Sequence, residues 1–427
     1  VVDIFDLNYI LSSEELKQIE KIDKLKNKGI FYGLIRYFGG MVLSLVRLRL
    51  NMFYLRGVQI AYVTGTENQT CALLPISDEL PGDLISLTVG YSNKKVSRNF
   101  PDLIAYLVSL FFLPCFLYRY FLCTSSYKKK AMRVCFDRFI LAYGLSVTNR
   151  LCCSFFCPKL VVFSNDHCVW NRSLLNECIF RGIKTAYVQH AMVSRSFPPL
   201  KFDYSFLDGE YAFRAYGDSS IGDVFLLGAP RYQYEEVVSE NRKVFLALCF
   251  NAIDSIDFIE NLIGEIAELN LSGGVVVRPH PRDGRLAEIR SAAQNAGMLF
   301  SDSRMESSLA LLKSSECLLA GVSGVHLDAA LAGCTPFTLR GWGSDYYGFV
   351  ESGLITEITR VDDIVTLKSC GQVKRVVQMY EARVGLKCLP KVSKLIASVL
   401  SDNTLHTNYI IEKNGVYSYI EKEKLDS

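Results

Sequence analysis

The sequence predicts an α/β protein of two domains, each an open parallel sheet with helices on both faces, the pair facing one cleft. Three observations carry this expectation. Short apolar or β-branched runs alternate with amphipathic helical stretches, the pattern of a doubly wound sheet. Several of these runs end in polar residues, where ligands of such sheets bind. The chain has 427 residues, which exceeds what one core usually serves and makes two domains the default.

In chain order, SSEELKQIEKIDKLKNK reads as a charged helix, with Ser13 as its cap and Glu14 and Glu15 in its first turn. GLIRYFGGMVLSLVRLRLNMF follows, mostly apolar but carrying Arg36, Arg47 and Arg49. GVQIAYV, 57–63, is a strand ending in Thr-Gly-Thr, and a second candidate strand runs from Leu84 to Val89. The most hydrophobic stretch, DLIAYLVSLFFLPCFLYRYFLC, lies between Pro101 and Cys123. It is about long enough to span a bilayer, yet Asp102, Pro114 and Arg119 interrupt it, so a helix packed in or against the first domain is expected. Arg119 and Lys128 to Lys130 form either a solvated basic turn or a contact with anionic lipid at the inner face of the cytoplasmic membrane.

From Lys159 the alternation resumes: KLVVFSNDH as strand, WNRSLLNECIFRGI as a helix closed by Gly182, KTAYVQHA as strand, then FPPLKFDYSFLDGEYAFRAYG and DVFLLGAPRYQ. Three successive strand ends hold Asn165, Asp166 and His167, then Gln189 and His190, then Asp208 and Glu210. Together they form one wall of a cleft. NRKVFLALCFN, 241–251, restarts a sheet, which puts the boundary near residue 238. The expected division is 1–238 for the first domain, 239–400 for the second and 401–427 for a tail whose end, EKEKLDS, frays.

The chemistry concentrates in 274–340. GVVVRPHPRDG is a buried parallel strand stopped by proline at its carboxyl end, leaving His280 at the mouth of a cleft. A helix from Ser307 to Lys313, a strand from Cys317 to Ala320, a helix from Val325 to Ala332 and a strand from Pro336 to Leu339 follow. Gly321, Ser323 and Gly324 precede the second of these helices, where unpaired backbone N–H groups suit a phosphate; an ordinary cap and turn is the plain alternative. Arg278, His280 and Arg282 supply charge-assisted donors to the same anion. His326 and Asp328 follow on the helix, either within reach of a ribose or as its polar face.

Composition narrows the class. A net charge of +3 gives no footprint for nucleic acid. The 14 cysteines form no paired metal-binding framework, and Cys152, Cys153 and Cys157 lack a partner histidine at the usual spacing. Many sit in apolar runs, as expected of a reducing, cytoplasmic compartment. The first residues carry acid where a secretory leader would carry base. No Asp-x-Asp element of metal-dependent transferases is present, so no metal is expected.

An RPHP element on one strand, followed about forty residues later by a serine-bearing turn at a helix start, resembles the C-terminal half of bacterial glycosyltransferases of the two-domain GT-B type. The likeness is to HP-motif enzymes using CMP-activated sugars (sialyl-, polysialyl- and Kdo-transferases) and to related CDP-glycerol polymerases of teichoic acid synthesis. GAPRYQ, 228–233, resembles the turn leaving the first GT-B domain, and YVQHA the Gln-His element of cell-surface polysaccharide transferases. The resemblance implies two Rossmann-like domains, a CMP-linked sugar donor (Kdo or another nonulosonic-type acid) as substrate without further cofactor, and a glycan or glycolipid acceptor of capsule or lipopolysaccharide. It places the phosphate role on His280, next to Pro281, and on Ser323, where this sequence has Ser323-Gly324 in place of a serine pair.

Three residues compete as the base for the acceptor hydroxyl. His190 titrates near neutrality without tuning, Asp166 would need a raised pKa, and Leu207-Asp208-Gly209 is a partial match to an acidic-acidic-glycine motif; His190 is favoured. Three other functions stay open. They are a polyol-phosphate transferase using a CDP-glycerol-like donor, a non-catalytic nucleotide-sugar-binding scaffold, and an epimerase of the same fold.

Overall fold

The computed structural model describes residues 3–13, 29–50, 57–86, 95–155, 157–216, 222–230, 242–367, 389–401, 410–412 and 416–418. The first sheet contains β1 (Ile60–Thr64), β2 (Asp83–Ser86), β3 (Arg98–Asn99), β4 (Leu160–Phe163), β5 (Lys184–Val188), β6 (Tyr204–Leu207) and β7 (Asp223–Leu226). The second contains β8 (Val244–Phe250), β9 (Val275–Pro279), β10 (Leu299–Phe300), β11 (Ser315–Ala320), β12 (Thr335–Leu339) and β13 (Thr356–Ile358). Two further strands, β14 (Ile410–Glu412) and β15 (Val416–Ser418), return to the first sheet.

Strand order is β14-β15-β7-β6-β5-β4-β1-β2-β3 in one sheet and β10-β9-β8-β11-β12-β13 in the other. Every pairing is parallel except β14 with β15. In each sheet the order reverses once, between β1 and β4 and between β8 and β11, and ligands of open α/β sheets lodge at the strand ends beside such a reversal. The strands are apolar along their length because helices cover both faces: all seven residues of β8 are buried.

The first domain carries a thick helical layer on one face, with Ile30–Arg47, Asp102–Phe111, Leu113–Leu122 and Phe136–Phe155 sharing a core with β1 and β4. Gly144 lets two of these helices touch, since a Cβ there would run into the Ala105 carbonyl oxygen.

Several boundaries differ from expectation. The hydrophobic stretch after Pro101 forms two helices bent by 63°, because Pro114 is accommodated at the first turn of the second, where a missing N–H is no loss. The Ser13 N–H donates to the Tyr9 carbonyl at 2.9 Å, closing the helix Tyr9–Ser12. The charged helix expected over 14–28, the end of the strand expected to reach Val89, and the boundary near 238 lie outside the described residues. The helix Leu389–Leu400 falls in the closing helices of the 239–400 division and crosses back to the first domain, as the last helix of the GT-B type commonly does; there Val392, Leu395, Ile396 and Val399 pack with Ile60, Tyr62 and Leu73. Lys184 Nζ also donates to the Val399 carbonyl at 3.1 Å. The stretch expected as a tail supplies β14 and β15, with Val416 beside Val224 of β7, while EKEKLDS lies outside the described residues.

Two glycines test this packing in opposite directions. Gly264 sits exposed in the helix Ile256–Glu268 with nothing near its missing Cβ, so Gly264→Ala is expected to stabilise the second domain by about 0.5–1 kcal/mol. Gly144→Ala is expected to destabilise the first by about 1–3 kcal/mol. Urea melts of both variants check the pair, and a neutral Gly144→Ala would contradict the helix contact.

Candidate functional site

The carboxyl ends of the two sheets enclose a cavity of about 600 Å³. Asn68, Cys71, His190 and Met192 line it from the first domain; Asn251, His280, Pro281, Ser308, Ser323, Gly324, Asp328 and Tyr347 line it from the second.

His280 follows β9 directly. The Arg282 backbone N–H donates to its Nδ1 at 3.1 Å, which makes Nδ1 the acceptor and leaves the ring proton of the neutral imidazole on Nε2. Burial, and then the Arg282 charge, hold its pKa below the ordinary 6.5. At pH 7 it is a neutral donor.

The turn carrying His280 is fastened from behind. Asp283 accepts from Arg285 Nε at 2.9 Å and Nη2 at 2.8 Å, and these bonds hold its carboxyl below the usual range. Arg285 Nη1 donates onward to the Asp254 carbonyl at 2.8 Å. The Asp254 carboxylate accepts from Trp342 Nε1 at 3.1 Å and from the Asn251 N–H at 2.6 Å. Strand ends β8 and β9 and the loop after β12 are thereby joined.

The phosphate turn departs from expectation. The helix Val325–Leu331 starts at Gly324, with no side-chain cap. Ser323 therefore keeps its hydroxyl at the cavity, while its N–H donates to His326 Nδ1 at 3.3 Å. Gly324 has ordinary helical φ, and only Met192 Cγ, at 4.0 Å, approaches its missing Cβ. Gly321 does not line the cavity. It is glycine because a Cβ would stand 2.9 Å from Trp342 Nε1 and 3.0 Å from Asn251 Nδ2.

Three expected site residues are corrected by burial. His326 is fully buried, with Nε2 donating to the Phe337 carbonyl at 3.2 Å and Nδ1 accepting from Ser323, so neither ring nitrogen can meet a ribose. Asp166 is buried against His167, its Oδ1 2.9 Å from Nδ1, and lies away from the cavity lining. Asp208 is buried behind the wall, its N–H donating to Gln189 Oε1 at 2.9 Å. Arg278 lines the cavity, as expected, while Nη1 and Nη2 donate to Ser301 Oγ and the Glu306 carbonyl, both at 2.7 Å. Arg282 is exposed at the rim, off the lining.

Of the three candidate bases, His190 alone faces the cavity. Gln189 positions it: Oε1 holds the start of the turn after β6 and Nε2 donates to the Ala191 carbonyl at 2.9 Å. Asp328 also remains at the cavity, accepting from Ser308 Oγ at 3.2 Å. Asn68, Cys71, Asn251, Ser308 and Tyr347 were not singled out from sequence. The Thr-Gly-Thr that ends β1 was the signal for the first two, since Thr66 caps the helix carrying them.

No protein-family profile and no curated protein matches the sequence. Solved structures do resemble the fold. A putative UDP-N-acetylglucosamine 2-epimerase from Listeria monocytogenes superposes with a TM-score of 0.51 at 10% identity, covering 83% of this chain and 99% of that one. The calicheamicin glycosyltransferase CalG4 gives 0.51 at 10% identity over 81% and 99%. Another UDP-N-acetylglucosamine 2-epimerase gives 0.50 at 13% identity over 83% and 99%. At such identities the likeness concerns fold alone, and that fold is two parallel-sheet α/β domains of the GT-B kind.

Burial holds the His326 pKa down at about 4, against 6.5 when solvated. Below pH 6.5 the unfolded chain binds a proton there that the folded chain refuses, so this site's contribution is complete above 6.5 and is lost as pH falls towards 4. The expected slope is about 1.4 kcal/mol per pH unit for one proton. Denaturant midpoints between pH 7 and 4.5 check it: His326→Gln, though less stable at pH 7, should flatten the slope, and an unchanged slope would count against the burial.

Proposed function

We propose that the chain is a metal-independent glycosyltransferase that moves a sugar from a CMP-linked donor to a hydroxyl of a bacterial surface glycan or glycolipid. The observation that carries this reading is His280, a neutral histidine whose Nδ1 is pinned by a backbone N–H and whose Nε2–H is left for the cleft, opposite His190. A donor phosphate lodged between β9 and β11 meets Nε2–H of His280, the Ser323 hydroxyl and the backbone at Gly324. The donor's CMP moiety and the Kdo-type sugar rest on the RPHP resemblance.

His190 takes the proton of the acceptor hydroxyl as its oxygen bonds to the anomeric carbon. The bond from that carbon to the phosphate oxygen breaks, and its electron pair leaves with the nucleotide. Negative charge grows on the phosphate in this step, so donors aimed there stabilise the transition state more than the ground state. Asp328, held by Ser308, offers its carboxylate to the ribose hydroxyls. Such a reaction belongs where activated sugars are made, in the cytoplasm.

His280→Ala is expected to lower turnover by about a hundredfold to a thousandfold with an unchanged melting temperature, since the ring is exposed and supports no core. His190→Ala is expected to lower turnover while sparing nucleotide affinity. Assays with CMP-Kdo, CDP-glycerol and UDP-N-acetylglucosamine, with and without EDTA, check the reaction class. A new glycosidic bond that survives EDTA supports the proposal. Transfer of glycerol phosphate, epimerisation, or binding without turnover would each replace it.

A further inference from the structure

The helix Ile30–Arg47 is inside out. A helix at the surface of a soluble domain normally turns its apolar stripe to the core. Here the residues turned inward are Gly33, Tyr37 and Ser44, with the Tyr37 hydroxyl donating to the Tyr106 carbonyl at 2.5 Å. Turned outward at spacings of three and four are Phe31, Ile35, Phe38, Val42, Leu45 and Val46, with Phe31 77% and Val46 78% exposed. The next two helices repeat the inversion. Asp102, Ala105, Tyr106 and Ser109 face in while Leu110 and Phe111 face out, Phe111 at 84%; Phe116 faces in while Tyr118 and Phe121 face out, Phe121 at 71%.

Among the described residues of these helices and the one that follows them, the exposed charge has one sign. Asp102 is the one acid on the three helices, and it is buried. Arg47 and Arg119 stand on them, and the adjoining helix Ser126–Val134 adds Lys128, Lys129, Lys130 and Arg133 with no acid. A second copy of the chain would bring the same positive rim against this one. A bilayer containing anionic phospholipid brings the opposite charge together with an apolar interior.

We propose that the outward faces of Ile30–Arg47, Asp102–Phe111 and Leu113–Leu122 dock the protein, in plane, on an anionic phospholipid bilayer. Ile30–Arg47 is long and apolar enough to span, but its inner side is fastened to the domain. Gly33 abuts Phe136, and Arg36 pairs with Asp137 and donates to the Val134 carbonyl at 3.3 Å. The helix therefore lies flat, and its aromatic side chains enter the headgroup boundary while the basic residues meet lipid phosphate. This inference is independent of which nucleotide donor the cleft takes.

Vesicle flotation tests it, using phosphatidylcholine alone and phosphatidylcholine mixed with phosphatidylglycerol. The full chain is expected to float with the mixed vesicles, weakly with the neutral ones, and to be released by alkaline carbonate. Phe31→Ser, Phe111→Ser and Phe121→Ser combined should lower partitioning at least about tenfold, with unchanged melting temperature because these side chains are exposed. A second variant, with Lys128, Lys129 and Lys130 each changed to Gln, should lose about tenfold or more on mixed vesicles alone. Failure of the wild type to float, partitioning of either variant equal to the wild type's on mixed vesicles, retention in carbonate, or sedimentation as a dimer that the serine variant dissociates would overturn the proposal.

Discussion

A strand covered by helices on both faces has nowhere to keep a polar side chain except at its ends. Every residue of β8 is buried, and the same is true of β9. Asn251 and His280 accordingly appear one residue beyond the last buried position of each. Because the strands are parallel, these ends collect along one edge of each sheet, and because each sheet reverses its strand order once, the edge opens into a crevice. The cleft follows from that covering, and the chemistry follows from what the ends carry.

Position alone would leave those ends loose, and the second domain spends a chain of hydrogen bonds to fix them. Asp254 is the hub: burial pushes its carboxyl up, yet Trp342 and the Asn251 N–H bind it and Arg285 ties its carbonyl to Asp283. Trp342 also packs on Phe250 and Phe258, with ring centroids 5.7 and 5.1 Å apart. Gly321 yields the space that this ring needs. The first domain uses a lighter device, one Gln189 side chain spanning the turns after β5 and β6. The rigid wall is thus the one proposed to hold phosphate, where a fraction of an ångström in a hydrogen bond decides its value in the transition state.

Alternation of strand and helix was legible in the residues, and with it the two parallel sheets and the place of His280, Ser323 and His190. Direction at a strand end was not. Asp166, Asp208 and His326 all stand near such ends, yet each is buried off the cavity lining: Asp166 meets His167, the Asp208 N–H donates to Gln189, and His326 donates to the Phe337 carbonyl. Gln189 and Phe337 lie on or beside other strands, and the sequence of one strand does not say which way its last side chain leans. Arg278 does line the cavity, and the two bonds that brace its guanidinium, to Ser301 and the Glu306 carbonyl, join it to residues more than twenty positions away. Return of the two last strands to the first sheet was equally hidden, since a strand of three residues carries almost no periodicity.

The inverted helices bear on the cleft through the domain that carries them. They form one core with β1 and β4, and β1 leads into the helix that places Asn68 and Cys71 at the cavity. His190, the proposed base, stands on the same domain. A nucleotide donor is water-soluble and can reach the second domain from solution, whereas a glycolipid acceptor is confined to the bilayer. Docking through the first domain would put the base on the domain that meets the bilayer. The two proposals therefore constrain each other: an acceptor free in solution would give the apolar face no part in the reaction, and a lipid-borne acceptor would make it the means by which the hydroxyl is brought to His190.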